Sequence, residues 1–120
     1  MKQNPRPVLD PATLERLASE TGGADVVRQI VGLYLDEMPS RLSALAQGVE
    51  GGRESLHRTT HSLRSSSALL GARSLEGLCA VLESEAREAS VQDVDEMVAG
   101  VRACAEVTTR ALLEWLARLG

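Results

Sequence analysis

Aliphatic side chains recur every three or four residues through four long segments of this 120-residue chain. That spacing places them along one face of an α-helix. Phe is absent, and Tyr34 and Trp115 are the only aromatic residues, which argues against an aromatic-rich β-sandwich. Four such segments joined by short loops predict an all-α fold, an up-and-down four-helix bundle with a short extra N-terminal helix.

Two helices are predicted before residue 50. Asp10 is expected to cap the short one and Pro11 to occupy its first turn, and this helix ends near Ser19. The second helix spans about residues 24–47. Pro39 lies inside it and is expected to kink the helix or divide it in two.

Three further helices follow. The third spans about residues 53–70, the fourth is capped by Ser74, and the fifth is capped by Ser90 and runs to about Leu119. The pattern predicts that the third helix buries Leu56, Thr60, Leu63, Ser67 and Leu70.

Two finer expectations concern side-chain contacts. Leu33 and Leu35 fall outside the main apolar stripe of the second helix, which suggests a second apolar neighbour, with the short first helix as the obvious candidate. Glu83 and Arg87 are four residues apart in the favourable orientation and are expected to pair along the fourth helix.

Composition narrows the partners and the setting of the chain. A net charge of −4 argues against nucleic acid as a partner, because binding to phosphates needs a basic face. No apolar run approaches the ~18 residues of a membrane span, and the two cysteines, Cys79 and Cys104, fall at apolar positions typical of reduced thiols in a cytosolic protein. Residues 1–9 are predicted to be a tail or linker, and residues 10–120 one domain.

One face of the third helix carries side chains that could take part in a chemical reaction. Opposite the apolar stripe, residues three or four apart form a single row: His57, His61, Arg64, Ser65 and Ala68. A neutral imidazole nitrogen is a nucleophile near pH 7 and can accept a phosphoryl group, whose negative charge a guanidinium can bind. The small neighbours Ser62, Ser65 and Ala68 would let a partner's active site approach His61.

Two other interpretations of the histidines are open at this level. His57 and His61 are equally consistent with two solvated polar residues on an outer face. A His-x3-His pair can also bind a metal, and Glu54 precedes His57 with the spacing found in di-iron bundles. Such a site needs a second Glu-x-x-His and more inward carboxylates, and the chain has no other histidine, so no metal is expected.

The order of these residues resembles the histidine-containing phosphotransfer (HPt) domain family. Its pattern is His-x-Leu-Lys-Gly, two small residues and Leu-Gly-Ala, followed on the next helix by Leu-x-x-Leu-Cys-x-x-Leu-Glu. This chain reads His61-Ser62-Leu63-Arg64-Ser65-Ser66-Ser67, Leu70-Gly71-Ala72 and Leu75-Glu76-Gly77-Leu78-Cys79-Ala80-Val81-Leu82-Glu83, some 23 residues without a gap. The stretch Tyr34-Leu35-Asp36-Glu37-Met38-Pro39-Ser40-Arg41-Leu42 is also similar to the family's second helix.

The resemblance implies a role for each member of the row. By it, His61 is phosphorylated on its outer ring nitrogen, Arg64 steadies the phosphoryl group, and Glu83 hydrogen-bonds the other ring nitrogen. The docking face for a partner would include His57, Ser62, Ser65 and Ala68. The chain departs from the pattern twice, since Arg64 stands for the usual Lys and Ser65 for the usual Gly.

The function implied by the resemblance is that of a phosphorelay intermediate. His61 would accept a phosphoryl group from a receiver-domain aspartate and pass it to another receiver, and Mg²⁺ would lie on the receiver, so that this chain needs no cofactor. The partners would be receiver domains of response regulators or of a hybrid sensor kinase, and the domain is expected to be cytoplasmic and monomeric, with no membrane contact. Two alternatives are a docking module with the HPt fold but no phosphotransfer, which Ser65 favours, and direct phosphorylation of His61 by a kinase domain. The chain has no glycine-rich nucleotide loop, so it is expected to lack an ATP site; whether it counts as an enzyme is left open.

Overall fold

The computed structural model describes residues 6–119, and the regular secondary structure in that range consists of helices alone. The five α-helices are α1 (Pro11–Thr21), α2 (Ala24–Ala46), α3 (Arg53–Leu70), α4 (Arg73–Glu85) and α5 (Val91–Leu119), and a short 3-10 helix spans Gly48–Gly51. The predicted all-α class is confirmed. Residues 1–5 of the predicted tail lie outside the described residues, and residues 6–9 lie beside the start of α4, where Ser74 donates from its backbone amide to the carbonyl of Pro7 at 2.9 Å.

The four longer helices enclose one apolar core. Each of α2, α3 and α4 packs on the helix that follows it, α5 closes the set against α2, and α1 lies against α2 and α3. The core is aliphatic apart from Tyr34, Met38 and Cys79, and its largest fully buried side chains include Leu14, Leu45, Leu63, Leu70, Leu75, Leu82 and Leu112. This is a helical bundle with a short N-terminal helix, as the apolar spacing predicts; its up-and-down alternation stays a prediction. No helix within residues 6–119 combines the length and apolarity that crossing a bilayer requires.

The ends of the first two helices follow local chemistry. Asp10 accepts from the backbone amide of Ala12 at 3.2 Å, which confirms the predicted cap, and α1 extends two residues beyond Ser19 to a left-handed Gly22. Pro39 lies inside an α2 that is assigned as a single helix from Ala24 to Ala46, so the proline does not divide it.

The α3 boundaries and its buried face are as predicted. All five stripe residues are buried, and the helix ends at Gly71, whose φ of 77° is left-handed. The predicted cap of α4 at Ser74 is wrong. The helix begins at Arg73, and the Ser74 hydroxyl donates to the carbonyl of Arg6. The cap on α5 is confirmed, since the Ser90 hydroxyl accepts from the amide of Asp93 at 3.0 Å.

The second apolar neighbour of α2 differs from the one predicted. Leu33 is 62% exposed, so it contributes no buried contact with α1. Leu35 packs against the core and borders a surface groove between α2 and α5, beside Leu42 and Ala105. Helical spacing alone shows that a residue leaves the main stripe, but the element it meets depends on how the helices are arranged.

Burial keeps both thiols in their neutral form. Cys79 is fully buried, and burial raises the pKa of its thiol to about 12. Cys104 is partly buried, and burial raises the pKa of its thiol as well. Both cysteines are free, as their apolar positions predict.

A buried hydroxyl pair joins α2 to α3. Tyr34 is 4% exposed, and its hydroxyl shares a 2.8 Å hydrogen bond with that of Ser67. Burial raises the pKa of Tyr34 from 10.0 to about 12.

We therefore expect Tyr34 to titrate with a midpoint near pH 12 in the folded protein. A pKa raised above its unfolded value adds stability below pH 10, and about 3 kcal/mol of it is lost as the pH rises from 10 to 12. Because Tyr34 is the only tyrosine, the ultraviolet absorbance of tyrosinate reports this group alone. A midpoint near pH 10 in protein that circular dichroism shows to be folded would contradict the burial argument.

Candidate functional site

His61 lies midway along α3, on the side opposite the buried stripe. Since Leu63 and Thr60 face the core, the period of the helix turns His61 outward, and its side chain is 54% exposed. α4 packs on α3 beside this outer face and brings Glu83 to the imidazole ring. The tight turn at Gly71 sets this pairing, because it leaves two residues between the helices.

Glu83 determines which nitrogen of His61 carries the proton. Its Oε2 lies 2.8 Å from Nδ1 of His61. An ionised carboxylate only accepts hydrogen bonds, so Nδ1 is the donor and Nε2 keeps its lone pair. Within residues 6–119, the polar contacts of this ring are all made through Nδ1. The nitrogen at the exposed tip is thus the nucleophilic one.

Arg64 binds the other oxygen of the same carboxylate. Its Nε donates to Oε1 of Glu83, and its side chain is 33% exposed. Nη2 of Arg64 lies 3.2 Å from Nδ1 of His61, but both atoms are donors in this tautomer, so the contact is not a hydrogen bond. The guanidinium is therefore at the Nδ1 edge of the ring, away from Nε2.

These contacts keep Glu83 ionised. Burial by itself would raise the pKa of its carboxyl, but hydrogen bonds from Arg64 and His61 outweigh that effect and lower it. The hydrogen bond to Glu83 in turn raises the pKa of Arg64. Glu83 is consequently an anion that accepts from two partners on α3.

The predicted pairing of Glu83 with Arg87 along α4 is wrong. Arg87 reaches across to α3 instead, where its Nε and Nη2 donate to Glu54 at 2.7 and 3.1 Å. The Arg87 hydrogen bond lowers the pKa of Glu54. α4 ends at Glu85, so Arg87 lies in the turn beyond the helix, and each of the two side chains finds its partner on α3 instead.

His57 is predicted to face outward, but in the structure it lies beside α4. Its Nε2 is 3.8 Å from Oε2 of Glu83, beyond hydrogen-bond distance, and its side chain is 24% exposed. The sequence places it in the row with His61 but shows nothing of this proximity, because the position of the facing carboxylate depends on the α3–α4 packing. Among the described residues, no group of three or more His, Cys, Asp or Glu is arranged to hold a metal ion.

The serine run after His61 divides among three environments. Ser67 bonds Tyr34 in the core, and Ser66 accepts from Arg41 of α2 at 3.2 Å. Ser65 is exposed, and its hydroxyl makes no hydrogen bond within residues 6–119. Of the other small residues predicted beside His61, Ser62 is exposed and Ala68 half-buried.

The arrangement can therefore present Nε2 of His61 to a molecule that approaches α3 from solvent, while Glu83 fixes the tautomer of the ring through Nδ1.

The model of the Hpt domain family matches residues 29–119, a range that contains α3, α4, α5 and most of α2. No curated protein and no solved structure gives a significant match to the chain. The match covers about three quarters of the chain and includes both His61 and Glu83. The chain therefore belongs to the Hpt domain family, whose members carry a phosphoryl group on histidine in two-component phosphorelays.

Proposed function

We propose that His61 is the phosphorylated residue, that it takes the phosphoryl group from the phosphoaspartate of a receiver domain, and that it passes the group to the aspartate of another. The observation that carries this proposal is the 2.8 Å contact of Glu83 with Nδ1, on a ring that is otherwise exposed. It leaves the Nε2 lone pair free and directed to solvent. A nucleophile held this way needs no pocket of its own, because the receiver encloses the reaction.

The transfer step is a displacement at phosphorus. The Nε2 lone pair of His61 forms the N–P bond as the bond from phosphorus to the aspartate oxygen breaks, and the receiver regains its carboxylate. Nδ1 keeps its proton, and the ionised Glu83 stabilises the positive charge that develops on the ring. A divalent ion bound by the receiver would offset charge on the phosphoryl oxygens. Return of the group to a second receiver reverses the same step.

Arg64 has two successive roles in this proposal. Before transfer it holds Glu83 against the ring through its Nε–Oε1 hydrogen bond. After transfer, a change of rotamer brings its terminal nitrogens toward the phosphoryl oxygens, which are stronger partners for a guanidinium because the group carries more charge. The Arg64 side chain is one-third exposed, so its guanidinium can turn toward the ridge without crossing the core.

The partner's surface would be the outer ridge of α3. Ser62 and Ser65 are exposed there, Ala68 is half-buried, and His57 borders the ridge beside α4. Short side chains in that row leave room for the active-site loops of a receiver. The general partner class, receiver domains, follows from membership of the family.

The direct test is incubation with a phosphorylated receiver domain from the same organism. Wild type should acquire an acid-labile, alkali-stable label, which is the signature of a phosphoramidate bond, and His61→Gln should acquire none. The matched control is His57→Ala, which removes the neighbouring imidazole and should keep the label.

A label that persists in His61→Gln and disappears in His57→Ala would show that His57 is the phosphorylated residue and would contradict the proposal. If no receiver of the organism transfers its label to wild type while several bind it, the chain is instead a docking module with the Hpt fold. Chase of the labelled protein with a second receiver measures the direction of transfer.

A further inference from the structure

Ser65 occupies the position where the family pattern has glycine. It is exposed and lies four residues after His61, so the two share a row on α3. Side chains on a helix lean toward its N-terminus, which places the Ser65 hydroxyl over the turn that carries His61.

The orientation of the imidazole ring determines the direction in which a phosphoryl group on Nε2 of His61 would project. On a helix, Arg64 and His57 fall to one side of His61, toward α4 and Glu83, whereas Ser65 falls to the other. Because Nδ1 is held toward Glu83, the opposite edge of the ring, formed by Cδ2 and Nε2, is turned away from α4. A phosphoryl group on Nε2 would therefore project on the side where Ser65 lies.

Hydrogen-bond donors on that side are scarce. Before transfer Arg64 is engaged by Glu83 at the Nδ1 edge, so it reaches a phosphoryl group on Nε2 only after a change of rotamer. Ser66 and Ser67 lie further around the helix, where they contact Arg41 of α2 and Tyr34 instead of His61. Some helical hydroxyls return to the backbone, as Thr60 does to the carbonyl of Leu56 at 2.7 Å, but the Ser65 hydroxyl makes no such bond within the described chain and is free to turn.

We infer that the Ser65 hydroxyl donates a hydrogen bond to the phosphoryl group on Nε2 of His61 and so acts as a positioning residue of the phosphorylated state. This inference rests on the proposed role of His61. No covalent change occurs at Ser65; its O–H turns from solvent to a phosphoryl oxygen, which is a strong, charged acceptor. The serine thus supplies a donor that glycine lacks.

The test measures the phosphoryl group itself, on protein phosphorylated with the small donor phosphoramidate so that no receiver is needed. The ³¹P chemical shift is followed against pH in wild type, Ser65→Ala, Ser65→Gly and Ser65→Thr. A donor favours the dianion, so loss of the hydroxyl should lower the acid dissociation constant of the phosphoryl group about three- to tenfold in Ser65→Ala and Ser65→Gly alike. Ser65→Thr, which keeps a hydroxyl, should match wild type.

Ser62→Ala is the matched control, since it removes an exposed hydroxyl next to His61 in sequence but further around the helix, and it should leave the constant unchanged. Equal constants in wild type and Ser65→Ala would overturn the inference while His61 remains phosphorylated. A change in Ser65→Gly but not in Ser65→Ala would also overturn it, because side-chain volume would then be the cause. Absence of any phosphohistidine signal would overturn it too, and the receiver experiment would judge the role of His61 separately.

Discussion

Glu83→Ala is expected to slow phosphotransfer to His61 about 10- to 100-fold, the loss of activity found when the hydrogen-bond partner that orients a metal-binding histidine is removed. The variant removes the acceptor 2.8 Å from Nδ1, so the proton is free to move to Nε2 and the ring is free to rotate. It also releases Arg64 from its bond with the carboxylate. Glu83 is 16% exposed and outside the apolar core, so the bundle should stay folded. The measurement is the single-turnover rate from a phosphorylated receiver.

Glu83→Gln is the matched control for that experiment. Its amide oxygen can still accept from Nδ1, which preserves the tautomer, but the negative charge and the acceptor for Nε of Arg64 are lost, so the rate should fall less than in Glu83→Ala. Nitrogen-15 chemical shifts of the ring should report a proton on Nδ1 in wild type and Glu83→Gln, and a mixed population in Glu83→Ala. Equal rates in Glu83→Ala and wild type would show that the carboxylate does not prepare the nucleophile.

Gly71→Ala is expected to destabilise the fold by about 3 kcal/mol, because two costs combine. Gly71 has a φ of 77°, a conformation that costs an L-residue about 1–2 kcal/mol. A Cβ there would also lie 2.8 Å from Cβ of Thr13 and 3.0 Å from the carbonyl oxygen of Asp10, so α1 would have to shift, at about 1–3 kcal/mol. The shift would strain the 2.9 Å bond from the Asp10 amide to the Gly71 carbonyl. Urea unfolding followed by circular dichroism measures the loss.

Gly100→Ala provides the comparison, since Gly100 is an exposed glycine inside α5 whose added Cβ would meet nothing within 4 Å. It should leave stability unchanged or raise it by about 0.5–1 kcal/mol through helix propensity. If Gly71→Ala behaved like Gly100→Ala, the turn between α3 and α4 would not depend on a left-handed glycine in contact with α1.

The sequence by itself determined which side of each helix is buried. The spacing of Leu56, Leu63 and Leu70 along α3 predicts that they form the buried stripe, and the same spacing places His61 on the opposite side. The caps at Asp10 and Ser90 were also predictable, because the groups involved lie within three residues, whereas the Ser74 hydroxyl donates to Arg6, 68 residues away.

What only the tertiary structure decided are the contacts between helices. The spacing of residues gives their angular position around the axis of their own helix, but it does not give their distance to the next helix. Glu83 could therefore be assigned to Arg87 by local spacing, whereas the packed helices join it to His61 and Arg64. For the same reason Leu33 is exposed rather than covered by α1. The orientation of the His61 ring, with Nδ1 toward α4 and Nε2 turned from it, belongs to this second class, because a carboxylate 22 residues away in sequence sets it.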